Sequence, residues 1–559
     1  MKERYIDLME ISLSAYTDAH IDRYFSDVQR EGLTEHGFPR LTANIGILIA
    51  HGRRCDLLPR FLQMMEFCCR EIPRVKAAND FSVREMICCL WEIEENKVVD
   101  PEDIARWKGY LAAITPETCY SVFARTPTDG YRNWALFSGV SEFFRQKAGL
   151  CEAQEFIDLQ FLQQMQWLDE NGMYEDNISC IAHQPIMYDF VSRGLFSLAF
   201  DQGYNGPCRD AIDEKLKKAG LLTLDMQSPN GEMAFGGRSN QFINNEAWTL
   251  TILEYEAKRH AREGSPLAGR FKAAAQRAMA VTEHWLSKRP IRHIKNRFPT
   301  ETGFGCEHYA YFDKYMITVA SNLYAAYLIC DDTIPAAEET DIVPTVTETA
   351  PNFHKLFAKA GGYGIEIDWN ADPHYDASGL GRVHRVGAPA AICLSCPCPA
   401  TPIFKVDIAE PVALSICPAV PAENGWALAA DNDVTYERLG SGADETSAFA
   451  VLGCNFPNGQ SVTGHYTVSG QGVEMEFRGV GEIGCALPAF AFDGEVSPVI
   501  AAEANTLTIA YEGWLCRYTT DGQILDLEIL AANRNGHYKA FLAAGADTLR
   551  VRVEIVADI

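Results

Sequence analysis

Positive charge is scarce in this chain. Its 559 residues include 49 lysines and arginines against 75 aspartates and glutamates, which gives a formal net charge of −26. Nucleic-acid binding requires a basic face that neutralises phosphates, and this balance does not supply one. We therefore expect no nucleic-acid partner, although a few local cations could still bind a small anionic substrate.

Long apolar runs are also missing. The N-terminal sequence MKERYIDLMEISLSAY has charges where a signal peptide needs its apolar core, and no later run is long and apolar enough to span a bilayer. We predict a cytoplasmic protein with no membrane partner. The sequence leaves homo-oligomerisation open.

A disulfide framework and a metal cluster are equally weak signals. The chain has 18 cysteines, but the pairs at 68–69 and 88–89 lie in apolar helical contexts, where a free thiol behaves as a small hydrophobe. Cys393, Cys396 and Cys398 have metal-like spacing without a second cluster to complete a site. We expect buried thiols, no metal and no cofactor.

Apolar periodicity divides the chain into two parts, as expected for its length. Residues 1–332 repeat apolar residues at three- and four-residue spacing, as in LPRFLQMMEFCCREI, which predicts helical hairpins packed as an (α/α) toroid. Residues 354–559 contain short alternating segments such as VEMEFRGVG, which predict an antiparallel β-sandwich. Residues 333–353, acidic and rich in proline and threonine, predict a linker.

Polar residues concentrate at four places in the predicted toroid. At the first, RNWALF, the Trp134 ring could stack on a sugar and the Asn133 amide could bond a hydroxyl or carboxylate; an asparagine at a helix start is also a common cap. The second, ENGMYEDNISCIAHQPIMYDF, combines acids, aromatic rings and a histidine, and its alternative is a surface loop. Its candidate residues are Tyr174, Glu175, Asp176, His183 and Tyr188.

The third place is the stretch PNGEMAFGGRSNQFINNEAW. Its paired glycines allow close approach of the backbone, and Arg238 can present a planar fork to a carboxylate. Glu232 and Glu246 lie on either side of this arginine, as catalytic acids or as its ion-pair partners. The further substrate-binding candidates in this stretch are Ser239, Asn240 and Asn245.

The fourth place, GCEHYAYFDKYM, carries His308, Tyr309 and Lys314 as further substrate-binding candidates. Aromatic residues at helical spacing are equally typical of a helix core. Together the four places supply an arginine, amides, aromatic rings and several carboxylates. That set suits carbohydrate chemistry.

The blocks RNWALF, ENGMYEDN and FGGRSNQF resemble, in order and spacing, three blocks of glycoside hydrolase family one hundred and fifty-four, over roughly residues 120–250. The resemblance implies an (α/α) toroid with exo-β-glucuronidase activity. The sequence departs from the family pattern at Met173, at Asn177 and in a longer stretch before Tyr188, which leaves a changed substrate open. The positions that match the family's blocks are Asn133, Trp134, Tyr174, Asp176, Arg238 and Ser239.

A second resemblance is to toroid-plus-sandwich polysaccharide lyases of the chondroitin and heparin type. It rests on residue types and chain order, with an asparagine, a histidine, a tyrosine and an arginine in succession. The corresponding positions here are Asn133, His183, Tyr188 and Arg238. It implies β-elimination from a uronic acid.

The two resemblances imply different uses of the same arginine. In hydrolysis, Asp176 is our first candidate acid, with Glu175, Glu232 and Glu246 as the other available carboxyls. In β-elimination, Asn133 and Arg238 would neutralise the uronate carboxylate, while His183 or Tyr188 would take the C5 proton.

We expect first an exo-acting β-glucuronidase-type hydrolase, because a cytoplasmic enzyme would meet imported uronic-acid oligosaccharides or glucuronides. The alternatives are a uronic-acid lyase and a carbohydrate-binding protein without catalysis. The segment HYDASGLGRVHR, residues 374–385, could close over the site from the β part, or form a solvated hairpin turn.

Overall fold

The computed structural model describes residues 1–338, 343–431 and 433–558. The α-helices lie within residues 2–329 and the β-strands within residues 345–557, so the predicted order of a helical part and an antiparallel β part is confirmed. The segment predicted as a linker contains a short strand at 345–348, and its residues 339–342 lie outside the described residues. The exact domain boundaries stay a prediction.

The α-helices are α1 (Lys2–Leu13), α2 (Asp18–Glu31), α3 (Gly37–Ala50), α4 (Leu58–Glu71), α5 (Val83–Glu95), α6 (Pro101–Ala112), α7 (Pro116–Cys119), α8 (Asn133–Lys147), α9 (Gln154–Met165), α10 (Ile186–Asp201), α11 (Arg209–Met226), α12 (Asn244–Arg262), α13 (Leu267–Ser287) and α14 (Phe312–Ile329). Short 3₁₀ turns lie at Cys55–Leu57, Ile72–Arg74, Thr300–Thr302 and Ala390–Ile392.

The helices form a closed inner ring with an outer layer. Each inner helix packs against the next, in the order α3, α5, α8, α10, α12 and α14, and α14 packs back against α3. Every residue of α3 is buried, as expected for a helix that is covered on all sides. A side chain at Gly46 on α3 would collide with Cys89 on α5, so this glycine permits the close approach of the two helices. The outer helices that pack on the ring are α1, α2, α4, α6, α9, α11 and α13.

The strands form two antiparallel sheets. A four-stranded sheet pairs β1 (Thr345–Glu348), β2 (Lys355–Ala360), β3 (Tyr363–Asp368) and β4 (Gly379–Arg385) in chain order. The larger sheet contains β5 (Pro418–Ala422), β6 (Gly425–Leu428), β7 (Thr435–Ala443), β8 (Ser447–Asn455), β9 (Ser461–Ser469), β10 (Gly472–Phe492), β11 (Val499–Ala502), β12 (Thr506–Tyr511), β13 (Trp514–Thr520), β14 (Gln523–Ala532) and β15 (His537–Ala557).

The small sheet lies between the large sheet and the helices. Strands β1, β2 and β3 contact β7, β8 and β9 of the large sheet. Successive side chains of a strand point to opposite faces, so Ile365 and Ile367 of β3 enter the sandwich core while Glu366 and Asp368 lie on the other face. All six residues of β3 are nevertheless buried, because the helical part covers this polar face.

Most of the cysteines agree with the expectation of buried thiols, although Cys55 and Cys180 are exposed and Cys151 is half-buried. Among the described residues all cysteines are free, and the pairs at 68–69 and 88–89 are buried in the helical core. Cys393, Cys396 and Cys398 are buried in the β part. Within the same described ranges, no helix combines the length and apolarity needed to cross a bilayer.

Candidate active site

The stretch that links α11 to α12 runs between the helical part and the small sheet; we call residues 229–242 the interface loop. Pro229 packs against Gly364 of β3, and the Phe235 backbone N–H donates to Glu366. The ring of Phe235 lies under the Lys355 ammonium, 3.3 Å from the ring centroid to Nζ. Most of this polar segment is therefore buried at an internal interface, which the sequence alone did not indicate.

The side chain of Arg238 extends from the interface loop toward solvent. Its side chain is 36% exposed, and its guanidinium lies over the Tyr188 ring, 4.2 Å from the centroid. Nη2 forms an ion pair with Oδ2 of the buried Asp176, whose Oδ1 accepts from the Asn133 side chain at 2.7 Å and from its backbone N–H at 3.2 Å. Both oxygens of Asp176 are thus engaged, whereas Nε of Arg238 is buried and makes no hydrogen bond among the described residues.

Ser239 joins Arg238 to a group of tyrosine hydroxyls. Its backbone has a left-handed φ of 58°, an unfavourable conformation for a residue with a side chain. The hydroxyl lies 3.1 Å from that of Tyr188, 3.2 Å from that of Tyr309 and 2.8 Å from that of Tyr315. These contacts hold the hydroxyl in place and fix the direction in which the loop presents Arg238.

The β part holds the same turn from the other side. The backbone N–H of Ser239 donates to Oε1 of Glu307 at 2.7 Å, and Glu307 forms a buried two-point ion pair with Arg534. Arg534 follows β14, so the strained turn is braced across the interface between the helical and β parts. Separating the two parts would release Arg238.

Arg238 opens onto a cavity of about 340 Å³ between the helical part and the small sheet, which we call the Arg238 cavity. Its helical wall includes His183 and the interface-loop glycines Gly236 and Gly237. Its β wall is formed by His354, Lys355, Asp368, Asp372, His374, Tyr375 and Asp376. The cavity therefore exists only because the two parts are packed together.

Two imidazoles face each other across this cavity. The ring centroids of His183 and His354 are 5.3 Å apart in an edge-to-face arrangement. Nδ1 of His354 contacts Oδ1 of Asp368 at 2.5 Å, while its Nε2 and Nδ1 of His183 are buried without a hydrogen-bond partner among the described residues. Burial and the neighbouring His354 charge lower the pKa of His183. His183 is therefore an uncharged potential base at neutral pH.

Two carboxyl groups of the cavity have opposite pKa shifts. Burial raises the pKa of Asp376 to about 6, although its carboxylate accepts from the backbone N–H of Gly237 at 2.7 Å. Burial opposes ionisation of Asp368 as well, but the His354 and Lys355 charges outweigh it and lower its pKa to about 2. The Arg238 cavity is thus lined by Asp376, which can hold a proton near pH 6, and by Asp368, which is ionised at neutral pH.

The candidates from the second polar place fall into two groups. Asp176, His183 and Tyr188 lie with Arg238 as described above. Tyr174 is completely buried, with its hydroxyl bonded to Gln164, so its ring is not available to a sugar. Glu175 accepts from the side chain of Asn352 and does not contact Arg238. Asn133 of the first polar place donates its side-chain N–H to Asp176. The next residue, Trp134, is 37% exposed, and its ring packs edge-on against the ring of Phe81.

Glu232 and Glu246 do not pair with Arg238, so the interpretation of these acids as its ion-pair partners is wrong. Both are buried, and Lys295 Nζ lies 2.6 Å from Glu246 and 3.4 Å from Glu232. Arg382 of β4 approaches Glu232 to 3.7 Å. Neither acid lines the Arg238 cavity.

The remaining candidates support the loop or lie elsewhere. Asn240 donates to the backbone of Ala234, and Asn245 donates to the backbone of Ser239, so both stabilise turns. Tyr309 contacts Ser239, as described above. His308 is exposed and lines a different groove, and Lys314 pairs with Glu35 at 3.3 Å.

Most of the β wall, including His354, Lys355 and Asp368, was not predicted from the sequence. Polar and apolar residues alternate in KLFAKA and GYGIEID, which predicts strands with one polar face. Because such a face is normally exposed to solvent, the pattern did not indicate a cavity wall. The segment at 374–385 was singled out, and its first residues, His374 to Asp376, do line the cavity. The rest leads into β4, where Arg382 donates to the Met233 carbonyl of the interface loop and His384 lies 3.1 Å from the Asn230 side chain.

No family model matches the chain, and no curated protein matches it. Among solved structures, it is similar to a mutant heparan sulfate lyase from Pedobacter heparinus (9% identity, TM-score 0.48, covering 92% of this chain and 75% of that one). It is also similar to a chondroitin AC lyase from Streptomyces coelicolor (11% identity, TM-score 0.45, covering 99% of this chain and 83% of that one). A third similar structure is a glycosyl hydrolase family 88 protein from Bacteroides vulgatus (12% identity, TM-score 0.38, covering 59% of this chain and 99% of that one). These TM-scores are too low to carry an argument about function.

Proposed function

We propose that the chain is a carbohydrate-active enzyme that cleaves a glycosidic bond at a uronic acid by β-elimination. The observation that carries this proposal is the pairing, in one cavity, of an uncharged histidine with an arginine that keeps unused donors. His183 has a lowered pKa and a free Nδ1, and Arg238 has a free Nε.

The first step is recognition of the carboxylate. Arg238 uses Nη2 for Asp176, and the rest of its guanidinium, on a side chain that is 36% exposed, can donate to a carboxylate of the substrate. Its stacking on Tyr188 limits its movement. Neutralising the uronate carboxylate makes the C5 proton of the sugar more acidic.

The second step moves a proton and an electron pair. The C5–H bond breaks and its proton passes to a nitrogen of His183. The electron pair forms the C4=C5 double bond as the C4–O bond breaks, and the leaving oxygen takes a proton from an acid in the cavity. Burial raises the pKa of the Tyr375 hydroxyl to about 12, so it stays protonated and is our candidate acid.

The product distinguishes this reaction from hydrolysis. Elimination creates a C4=C5 double bond conjugated with the carboxylate, which absorbs ultraviolet light, whereas hydrolysis releases a saturated uronic acid. The test is to incubate the protein with uronic-acid oligosaccharides and aryl glucuronides, recording absorbance and the mass of the products. Saturated products alone, whose mass includes an added water, would overturn elimination.

Hydrolysis of a glucuronide is the second candidate, because Asp376 and Asp368 supply the required acid and carboxylate. Asp376 has a pKa of about 6, and Asp368 has a pKa of about 2. This pair differs from the one expected from the sequence: Asp176, the first candidate acid, is buried and has both oxygens engaged. Release of free glucuronate that depends on Asp376 would favour this second candidate.

A further inference from the structure

A second cavity lies on the other side of the interface loop, and we call it the Trp285 cavity. Its volume is about 330 Å³, and the end of α13 and the large sheet form its walls. The interface loop contributes Gly236, Gly237 and Arg238 to the Arg238 cavity, but Asn230, Glu232 and Gln241 to this one. The two spaces therefore share one wall without sharing lining residues.

The charges that line the Trp285 cavity compensate one another. Lys295 approaches Glu232 to 3.4 Å, Arg297 approaches Asp493 to 3.2 Å, and Lys288 approaches Glu512 to 3.3 Å. Burial lowers the pKa of His284, so this residue is uncharged at neutral pH. With three cations matched by three anions, the cavity offers no net charge to an ionic ligand.

One acceptor oxygen in this cavity is left without a donor. Oε1 of Gln241 makes no hydrogen bond among the described residues. Gln241 is 1% exposed, and its left-handed φ of 65° holds the amide in the loop that lines the cavity. An unsatisfied buried acceptor is costly, so this oxygen favours a ligand that brings a hydroxyl donor.

Aromatic rings are the second feature of this cavity that favours binding of a sugar. Trp285 and Trp514 are half-buried and line the cavity from the helical and β sides respectively. An indole face packs against the C–H face of a sugar ring, and the volume suits a monosaccharide. Apolar ring faces, the free acceptor of Gln241 and balanced charge together match an uncharged saccharide and disfavour a uronate.

We propose that the Trp285 cavity is a second sugar-binding site, specific for an uncharged saccharide and separate from the Arg238 cavity. The proposal does not rest on the proposed function, because it uses none of the residues assigned to elimination. A cavity that holds only buried water would also satisfy Gln241, and the test must separate water from a sugar.

The test is saturation-transfer NMR of the full chain with the methyl glycosides of glucose, galactose and rhamnose, and with glucuronate as the charged comparison. We expect transfer to at least one methyl glycoside. Trp285→Ala and Trp514→Leu should each weaken its binding about tenfold, since losing a ring contact costs on the order of 1 kcal/mol. Trp426→Ala, on the distant β6, is the matched control and should bind normally.

Arg238→Ala separates this site from the proposed active site. We expect it to retain binding of the methyl glycoside even where cleavage of uronides is lost. Circular dichroism of each variant checks that it is folded. Absence of transfer to all three glycosides, loss of binding in Arg238→Ala, or glucuronate binding that the two tryptophan variants weaken would each overturn the proposal.

Discussion

Arg238 and Asp176 form an ion pair in which the carboxylate is buried at 1% exposure and the guanidinium is 36% exposed. The carboxylate also accepts two hydrogen bonds from Asn133, so it is a fixed anchor, and the arginine is the partner that faces the cavity. We therefore propose that Asp176 positions Arg238 and is not an acid that gives up a proton.

The first prediction concerns Asp176→Asn. The amide keeps one acceptor oxygen, for either Asn133 or Arg238, and its NH2 group then faces the other donor, so the ionic contact and one set of hydrogen bonds are lost. We expect KM for uronides to rise about tenfold, with kcat nearly unchanged. If Asp176 were the general acid, kcat would instead fall by about 10²-fold or more. Steady-state kinetics on a uronic-acid oligosaccharide decides between these results.

The second prediction concerns His183→Ala. Removing the base should lower kcat by about 10²- to 10⁴-fold and leave KM close to its original value. The matched control is His465→Ala, an exposed histidine on β9 of the large sheet. A His183→Ala enzyme that retained full kcat would remove this histidine from the mechanism.

The third prediction is a pH profile that separates the two candidate reactions. In elimination His183 must be uncharged, and burial lowers its pKa from 6.5, so activity should rise through a pKa below 6.5 and stay level at neutral pH. In hydrolysis Asp376 must be protonated, so activity should fall as the pH rises through about 6. Measuring kcat/KM between acid and neutral pH shows whether activity rises or falls with pH. Asp376→Asn should abolish hydrolysis and leave elimination intact.

The fourth prediction uses the strained backbone of Ser239. Ser239→Ala and Ser239→Gly both remove the hydroxyl that contacts three tyrosines, and both should lose activity on uronides. Only glycine also relieves the left-handed φ, so it should be more stable than the alanine variant by about 1 kcal/mol. Denaturant unfolding of the two variants measures this difference, and equal stabilities would show that the turn stores no strain.

Periodicity was sufficient to predict the architecture, because a ring of covered helices such as α3 and a sandwich of alternating strands leave different patterns in the chain. The polar places were also informative, since Asn133, Asp176 and Arg238 meet despite separations of 43 and 62 residues. These residues could be found because a polar cluster is unusual in an apolar helical context.

The β wall could not be predicted in the same way. A strand such as β3 shows which residues share a face, and Glu366 and Asp368 share the polar one, but the sequence does not show what covers that face. The covering element is the interface loop, whose own polar residues looked like a solvent-facing rim. Glu232 and Glu246 were therefore considered beside Arg238, their neighbour in sequence, whereas their partner in space is Lys295.

The last prediction concerns the stability of that buried group. Lys295 lies within 2.6 Å of Glu246 and 3.4 Å of Glu232, and burial raises the pKa of Glu246 even with this cation present. Lys295→Met would remove the cation that pairs with the buried Glu246 and would leave Glu232 with Arg382 at 3.7 Å, and we expect a loss of about 3–5 kcal/mol in the free energy of unfolding. Lys108→Met, which breaks the exposed pair with Glu94, should cost less than about 1 kcal/mol. Chemical denaturation of both variants at neutral pH provides the comparison, and similar midpoints would contradict the assignment of Lys295 as the central charge of this interface.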